Sequence, residues 1–121
     1  MQHQKALLFR DNVAANKVIH EEDPYVCRTL GRYVAYYKEE IWAKNCISIM
    51  RDLVESKFVK NDSLKKILTD TGAKQIGAGG EHEKFWGIGL SIHDTAAADM
   101  ANWKGKNNLG KVFMQVRANI K

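Results

Sequence analysis

The sequence predicts a helix-rich α+β domain, and two features of its patterning carry that reading. Ile41, Cys46, Met50, Leu53, Val54 and Phe58 form one apolar stripe at helical period, with Glu39, Lys44, Arg51 and Glu55 largely off it. After Gly72 the texture changes: residues 74–80 hold three glycines, and residues 85–92 mix aromatic and branched side chains with glycine, a pattern for short irregular strands. With 121 residues, 45% of them hydrophobic and 27% charged, the composition is that of one compact domain, residues 1–121.

Taken in chain order, residues 1–10 read as the end of a helix, because Ala6, Leu7, Leu8 and Phe9 are apolar or helix-forming and show no strand alternation. A second helix is predicted from Ala14 to Glu22, capped by Asp11 or Asn12 and closed before Asp23-Pro24. A third starts at Tyr25, where Val26, Leu30, Val34 and Tyr37 recur at helical spacing. The long stripe from Ile41 to Phe58 is the fourth. Asp62 or Ser63 caps Leu64 to Leu68, and Gly72 is placed for a left-handed C-cap. Residues 93–102 form a loop or a short helical insertion, and a last helix is predicted over 108–120.

The net charge of +5, from 19 Lys and Arg against 14 Asp and Glu, favours phosphate-bearing partners. The basic residues are interspersed with acids, as on a solvated helix face. Cys27 and Cys46 are the only cysteines; both sit in apolar helical stretches and read as reduced thiols of an intracellular chain. No run approaches the apolar length of a bilayer span, so a cytoplasmic protein with no membrane partner is expected. The four histidines are scattered, which gives no metal site.

Gly105-Lys106-Asn107-Asn108-Leu109-Gly110-Lys111 matches the spacing of a nucleoside-triphosphate loop but is followed by Val112, where a magnesium-binding hydroxyl is required, and is not preceded by an apolar strand. What remains is general: glycines admit close approach of a ligand, and a helix start offers amide donors to phosphate. Phe85-Trp86-Gly87-Ile88-Gly89 sets two large rings beside glycines, a surface for stacking on a base or ribose. Trp42 and Trp103 are open to either a core or a stacking role.

In order along the chain, Gln4-Lys5-Ala6-Leu7-Leu8-Phe9, Leu30-Gly31-Arg32, Trp42, Lys57-Phe58, Phe85-Trp86-Gly87-Ile88-Gly89 and the run from Gly105 to Arg117 resemble the NADAR family. The last run resembles that family's closing G-K-N-x-L-G-x-x-x-M-x-x-R signature and is the most specific. The resemblance implies a predominantly helical α+β fold with a small sheet, and an N-glycosidase acting without cofactor on a phosphorylated ribosyl compound: a riboflavin-pathway intermediate or ADP-ribosylated guanine. Cleaving a ribosyl C–N bond builds oxocarbenium-like charge, for which a carboxylate and a positioned water are economical catalysts. The resemblance makes Lys5 the candidate catalytic residue, either holding a phosphate or attacking an opened sugar aldehyde as an amine. It makes Arg32 and Lys106 phosphate ligands, Trp42, Phe85, Trp86 and Gly87 a packing surface for base or ribose, and Gln4, Asn107, Leu109 and Gly110 further binding positions near the two motifs.

In that family a glutamate lies about two helical turns before the lysine, with strands further upstream, whereas here Met1 precedes Lys5 by four residues. The expectation is a domain lacking its N-terminal strands and chief carboxylate, its activity in this form left open, with an exposed sheet edge prone to self-association. Two other readings stand beside this one. A non-catalytic ADP-ribose binder, including one that takes ADP-ribosylated nucleic acid, keeps the binding motifs. A basic helical nucleic-acid-binding module uses Arg28, Arg32, Lys38 and Lys44, but it explains only the charge.

Overall fold

The computed structural model describes residues 1–120. The chain forms two compact units, Met1–Ile49 and Met50–Lys121.

The first unit holds α1 (Gln2–Leu8), α2 (Asn12–Ile19), α3 (Pro24–Arg32) and the start of α4 (Glu39–Val59). Asp11 closes the start of α2: its Oδ1 accepts the Ala14 amide at 3.0 Å, while its Oδ2 accepts the Ala35 amide at 2.8 Å. One carboxylate thus caps a helix and pins the turn that follows α3. Asp23 caps α3 by accepting from the Tyr25 amide, with Pro24 at the first helical position, where its missing N–H costs nothing. Ala6, Phe9, Ala14, Ala15 and Val34 form the core, with Leu8 and Trp42 packed against it. Three alanines let α1 and α2 approach closely, so Phe9 supplies much of the buried bulk.

The third helix is shorter than the spacing predicts. It ends at Arg32, and Tyr36 adopts a left-handed φ of 62°. Val34 joins the core from a turn anchored by Asp11, while Val26 and Tyr37 are both 39% exposed, so the four spaced residues are not one buried stripe.

The second unit holds the end of α4, α5 (Asp62–Asp70), two 3-10 turns (Thr95–Ala98 and Met100–Asn102) and α6 (Asn108–Asn119). The cap of α5 is Asn61, one residue before the expected pair, and Gly72 takes the predicted left-handed conformation at φ 63°. Val54, Leu68, Val112, Val116 and Ile120 form the core, joined by Met50, Phe58, Ile76, Leu109 and Phe113. Phe58 and Phe113 meet edge to face with centroids 5.7 Å apart. Arg117 fastens the end of α5 to α6, donating to Thr71 Oγ1 at 2.9 Å and to the Lys74 carbonyl at 2.8 Å.

The expected small sheet is absent: no strand occurs among the described residues, and the fold is a helical one. The segments read as strands do touch, but only through single bonds, from the Ile88 amide to the Ala78 carbonyl and from the Gly80 amide to the Leu90 carbonyl, each 2.9 Å. A ladder needs repeated bonding between extended runs, and here Gly89 turns left-handed at φ 74° while the carbonyls of residues 84–88 bond to amides of residues 104–109. Without a sheet there is no sheet edge among these residues, which removes the stated basis for edge-to-edge self-association.

Candidate functional site

In the first unit the side chain of Lys5, on α1, lies against two aromatic faces. Its Nζ sits 4.6 Å from the centroid of the Tyr37 ring and 5.3 Å from that of Trp42, both within cation–π range. Tyr37 is in turn braced by Phe9, ring centroids 5.1 Å apart, and its hydroxyl donates to Glu39 Oε2 in the first turn of α4. No carboxylate is ion-paired with Lys5 among the described residues. Burial holds the Lys5 ammonium below its ordinary pKa, and the nearby charge of Glu39 partly offsets that effect. Desolvation and the bond to Glu39 push the Tyr37 phenol up to about 12.

The structure therefore joins two residues singled out from sequence, Lys5 and Trp42, and adds two that were not, Tyr37 and Glu39. Tyr37 was assigned to a helical stripe and Glu39 to a solvated face. The signal available was the Tyr36-Tyr37-Lys38-Glu39 run itself, two aromatics ahead of a helix whose first turn is acidic. Gln4 is exposed on α1 and Arg32 is exposed at the end of α3; neither hydrogen-bonds to this cluster.

In the second unit Phe85 and Trp86 pack edge to face with centroids 4.8 Å apart, and Lys106 Nζ lies 6.0 Å from the Phe85 ring. Beneath them the backbone is tightly tied. The amides of Lys106, Asn107, Asn108 and Leu109 donate to the carbonyls of Lys84, Gly87, Phe85 and Trp86, at 2.7 to 3.2 Å. The two sequence motifs are thus partners of each other. Gly105 allows this, since a Cβ there would strike the Gly87 carbonyl, while one on Gly87 would come within 2.8 Å of the Ala78 carbonyl oxygen on the other side.

Asn107 is buried, 4% exposed, with a left-handed φ of 53°. It does not cap α6 through its side chain. Its Nδ2 donates to the Ile76 carbonyl at 2.8 Å and its Oδ1 accepts from the Ala78 amide at 3.0 Å, so both ends of the amide are spent within the fold. Leu109 packs in the second core, and Gly110 lies where a Cβ would strike the Ile76 carbonyl and the Asn107 side chain. Of the residues singled out here, Phe85, Trp86 and Lys106 present side chains toward solvent or near it, whereas Gly87, Asn107, Leu109 and Gly110 build the support.

A cavity of about 700 Å³ lies elsewhere in this unit, lined among others by Gln75, Ile88, His93, Asp94, Met100 and Trp103. The Trp103 ring is fixed by its Nε1–H, which donates to the Ala97 carbonyl at 2.9 Å, and rests against Gly77. That is volume enough for a small ligand. Among the described residues no three His, Cys, Asp or Glu side chains are grouped to share a metal ion, and no helix is long and apolar enough to cross a membrane. Cys27 and Cys46 are free thiols, Cys46 buried and held above its ordinary pKa by desolvation.

Comparison with known proteins matches the NADAR domain across residues 1–121. An N-glycosidase of Acanthamoeba polyphaga mimivirus is 36% identical over 117 residues, which are 97% of this chain and 69% of that protein. Protein irg-1 of Caenorhabditis elegans is 32% identical over 120 residues, 98% of this chain and 57% of that protein. A riboflavin biosynthesis protein of Vibrio vulnificus is 27% identical over 118 residues, 98% of this chain but only 29% of the relative. With a match that runs through every element described above, the chain belongs to the NADAR domain family.

Proposed function

We propose that this chain acts as an N-glycosidase on a phosphorylated ribosyl compound, with Lys5 at the reacting end. The observation that carries the reading is the placement of the Lys5 ammonium on the faces of Tyr37 and Trp42, with no ion-pair partner among the described residues. Held by rings rather than by a carboxylate, the cation keeps its charge available to a substrate phosphate. Its partial burial also eases loss of the proton, which an amine attacking an opened sugar aldehyde requires. In the hydrolysis the C1–N bond breaks, its electron pair leaves with the nitrogen of the base, which takes up a proton, and C1 gains the hydroxyl of water.

The relatives named N-glycosidase and riboflavin biosynthesis protein support this class of reaction, and a ribosylated pyrimidine phosphate and an ADP-ribosylated guanine, free or within nucleic acid, are its two substrate candidates. Phe85, Trp86 and Lys106 offer a second binding surface, of ring faces and one cation, suited to base and phosphate. Unpaired thiols fit work in the reducing cytoplasm.

The test is base release, followed by chromatography, from ribosylaminopyrimidine phosphate and from ADP-ribosylated guanine. Release should fall by about 100-fold or more in Lys5→Met. Borohydride trapping of the working mixture separates the two roles of Lys5: a covalent adduct on Lys5 identifies the amine, and release without an adduct identifies the phosphate ligand. ADP-ribose binding with no release from either substrate would move the assignment to a non-catalytic binder, and neither binding nor release would sink it.

A further inference from the structure

We infer that Tyr37 and Glu39 are positioning residues for the Lys5 amine, acting as a two-member brace that fixes the ring face on which the ammonium rests. This rests on the reading of Lys5 as the reacting residue. A phenol ring holds a cation only while its face is turned toward it, and a tyrosine 39% exposed on a turn has room to rotate away. Two contacts limit that rotation here: Phe9, tilted against one side of the ring, and the bond from the Tyr37 hydroxyl to Glu39 Oε2. The preceding residue, Tyr36, is left-handed, and this sends the chain from the turn into α4 with Tyr37 and Glu39 two residues apart and facing each other.

The bond also decides where the carboxylate goes. Glu39 is close enough to influence Lys5 electrostatically, yet it is hydrogen-bonded to Tyr37 and not ion-paired with the ammonium. Were it released from the phenol, the unpaired cation nearby would be its natural partner, and the Lys5 nitrogen would leave the ring faces for the carboxylate. The brace therefore keeps the amine oriented and unneutralised at once, which serves either role open to Lys5, and it assigns function to two residues that need not touch substrate.

The experiment reads Lys5 directly and needs no substrate. In protein carrying 13C-labelled lysine, the Lys5 side-chain resonances, assigned by their loss in Lys5→Arg, should be displaced upfield by the ring currents of Tyr37 and Trp42. Tyr37→Phe keeps the ring and removes the hydroxyl; it should lose much of the displacement. Glu39→Ala should do the same, the double variant should add little to either, and Glu39→Gln, which retains an acceptor oxygen, should recover most of it. Where substrate is turned over, Tyr37→Phe should lower kcat by roughly 10- to 100-fold with KM nearly unchanged if Lys5 is the attacking amine, and should raise KM instead if Lys5 holds the phosphate. Resonances left in place by Tyr37→Phe in a folded protein would overturn the inference, as would a loss in Glu39→Gln equal to that in Glu39→Ala. Should Glu39→Ala not fold, Tyr37→Phe against Glu39→Gln decides alone. Absence of base release in the wild type would reject the N-glycosidase reading and leave these resonances to report on the brace itself.

Discussion

At the scale of single residues, Tyr37 couples a binding geometry to a titration. Its phenol is raised from 10 to about 12 in the folded chain, so between those values the unfolded chain gives up a proton that the folded chain keeps. A raised group stabilises the fold below its unfolded pKa, and that contribution is lost as pH rises through the folded value. The stability gap between wild type and Tyr37→Phe, read as urea midpoints, should hold from neutral pH to about 10 and close between about 10 and 12. Lys5 works in the opposite sense: with its pKa lowered, folding gains as pH climbs toward the unfolded lysine value, and that gain is complete before the Tyr37 window is far advanced. The Lys5 effect is common to wild type and Tyr37→Phe, so it leaves the gap between them to report the phenol. A gap that stayed constant through pH 12 would mean the phenol is no better protected folded than unfolded.

At the scale of elements, the helices are set by apolar spacing and by caps, and both are visible in one dimension. The stripe from Ile41 to Phe58 marks α4 within two residues of its ends, and Asp11 caps α2 as its position suggests. α5 shows the same logic, with Leu68 5% exposed on its inner face beside Val112 and Val116 of α6. Leu68→Ala should cost about 2–5 kcal/mol, measured by denaturant unfolding, because the surrounding side chains are held by other helices and cannot collapse onto the space. A loss below about 1 kcal/mol would mean that this core relaxes freely. What the spacing misreads are the joints. Residues 33–38 continue the helical period of α3 yet are held in a turn by the Asp11 carboxylate, a bond from 24 residues away that no local pattern contains. Residues 74–92 have strand-like composition, but their carbonyls are claimed by the run before α6, so no ladder forms.

At the scale of the molecule, family membership was legible because the motifs stand in the right order. The division of labour among the candidate residues named from those motifs was not. Sequence treats Trp86, Gly87, Asn107 and Gly110 alike as binding positions; burial and bonding distinguish ring surfaces from scaffold, since Asn107 spends both ends of its amide on Ile76 and Ala78. Tyr37 and Glu39 went unnoticed because their meaning lies in a turn that brings them to Lys5. The net charge of +5 proved uninformative by itself, being spread over ordinary helix faces.

The four amides that lead into α6 have a consequence of another kind. Lys106 to Leu109 are bonded to the carbonyls of Lys84 to Gly87 rather than to water, so this helix end has nothing to fray into. Once corrected for intrinsic exchange, those four positions should share one high protection factor, set by one opening that parts both segments together, while the N-terminal amides of α5, capped only by the Asn61 side chain, should be protected unequally and less. Four unequal protection factors would show that the paired runs open piecemeal. A common value would make the two family motifs a single cooperative unit of opening.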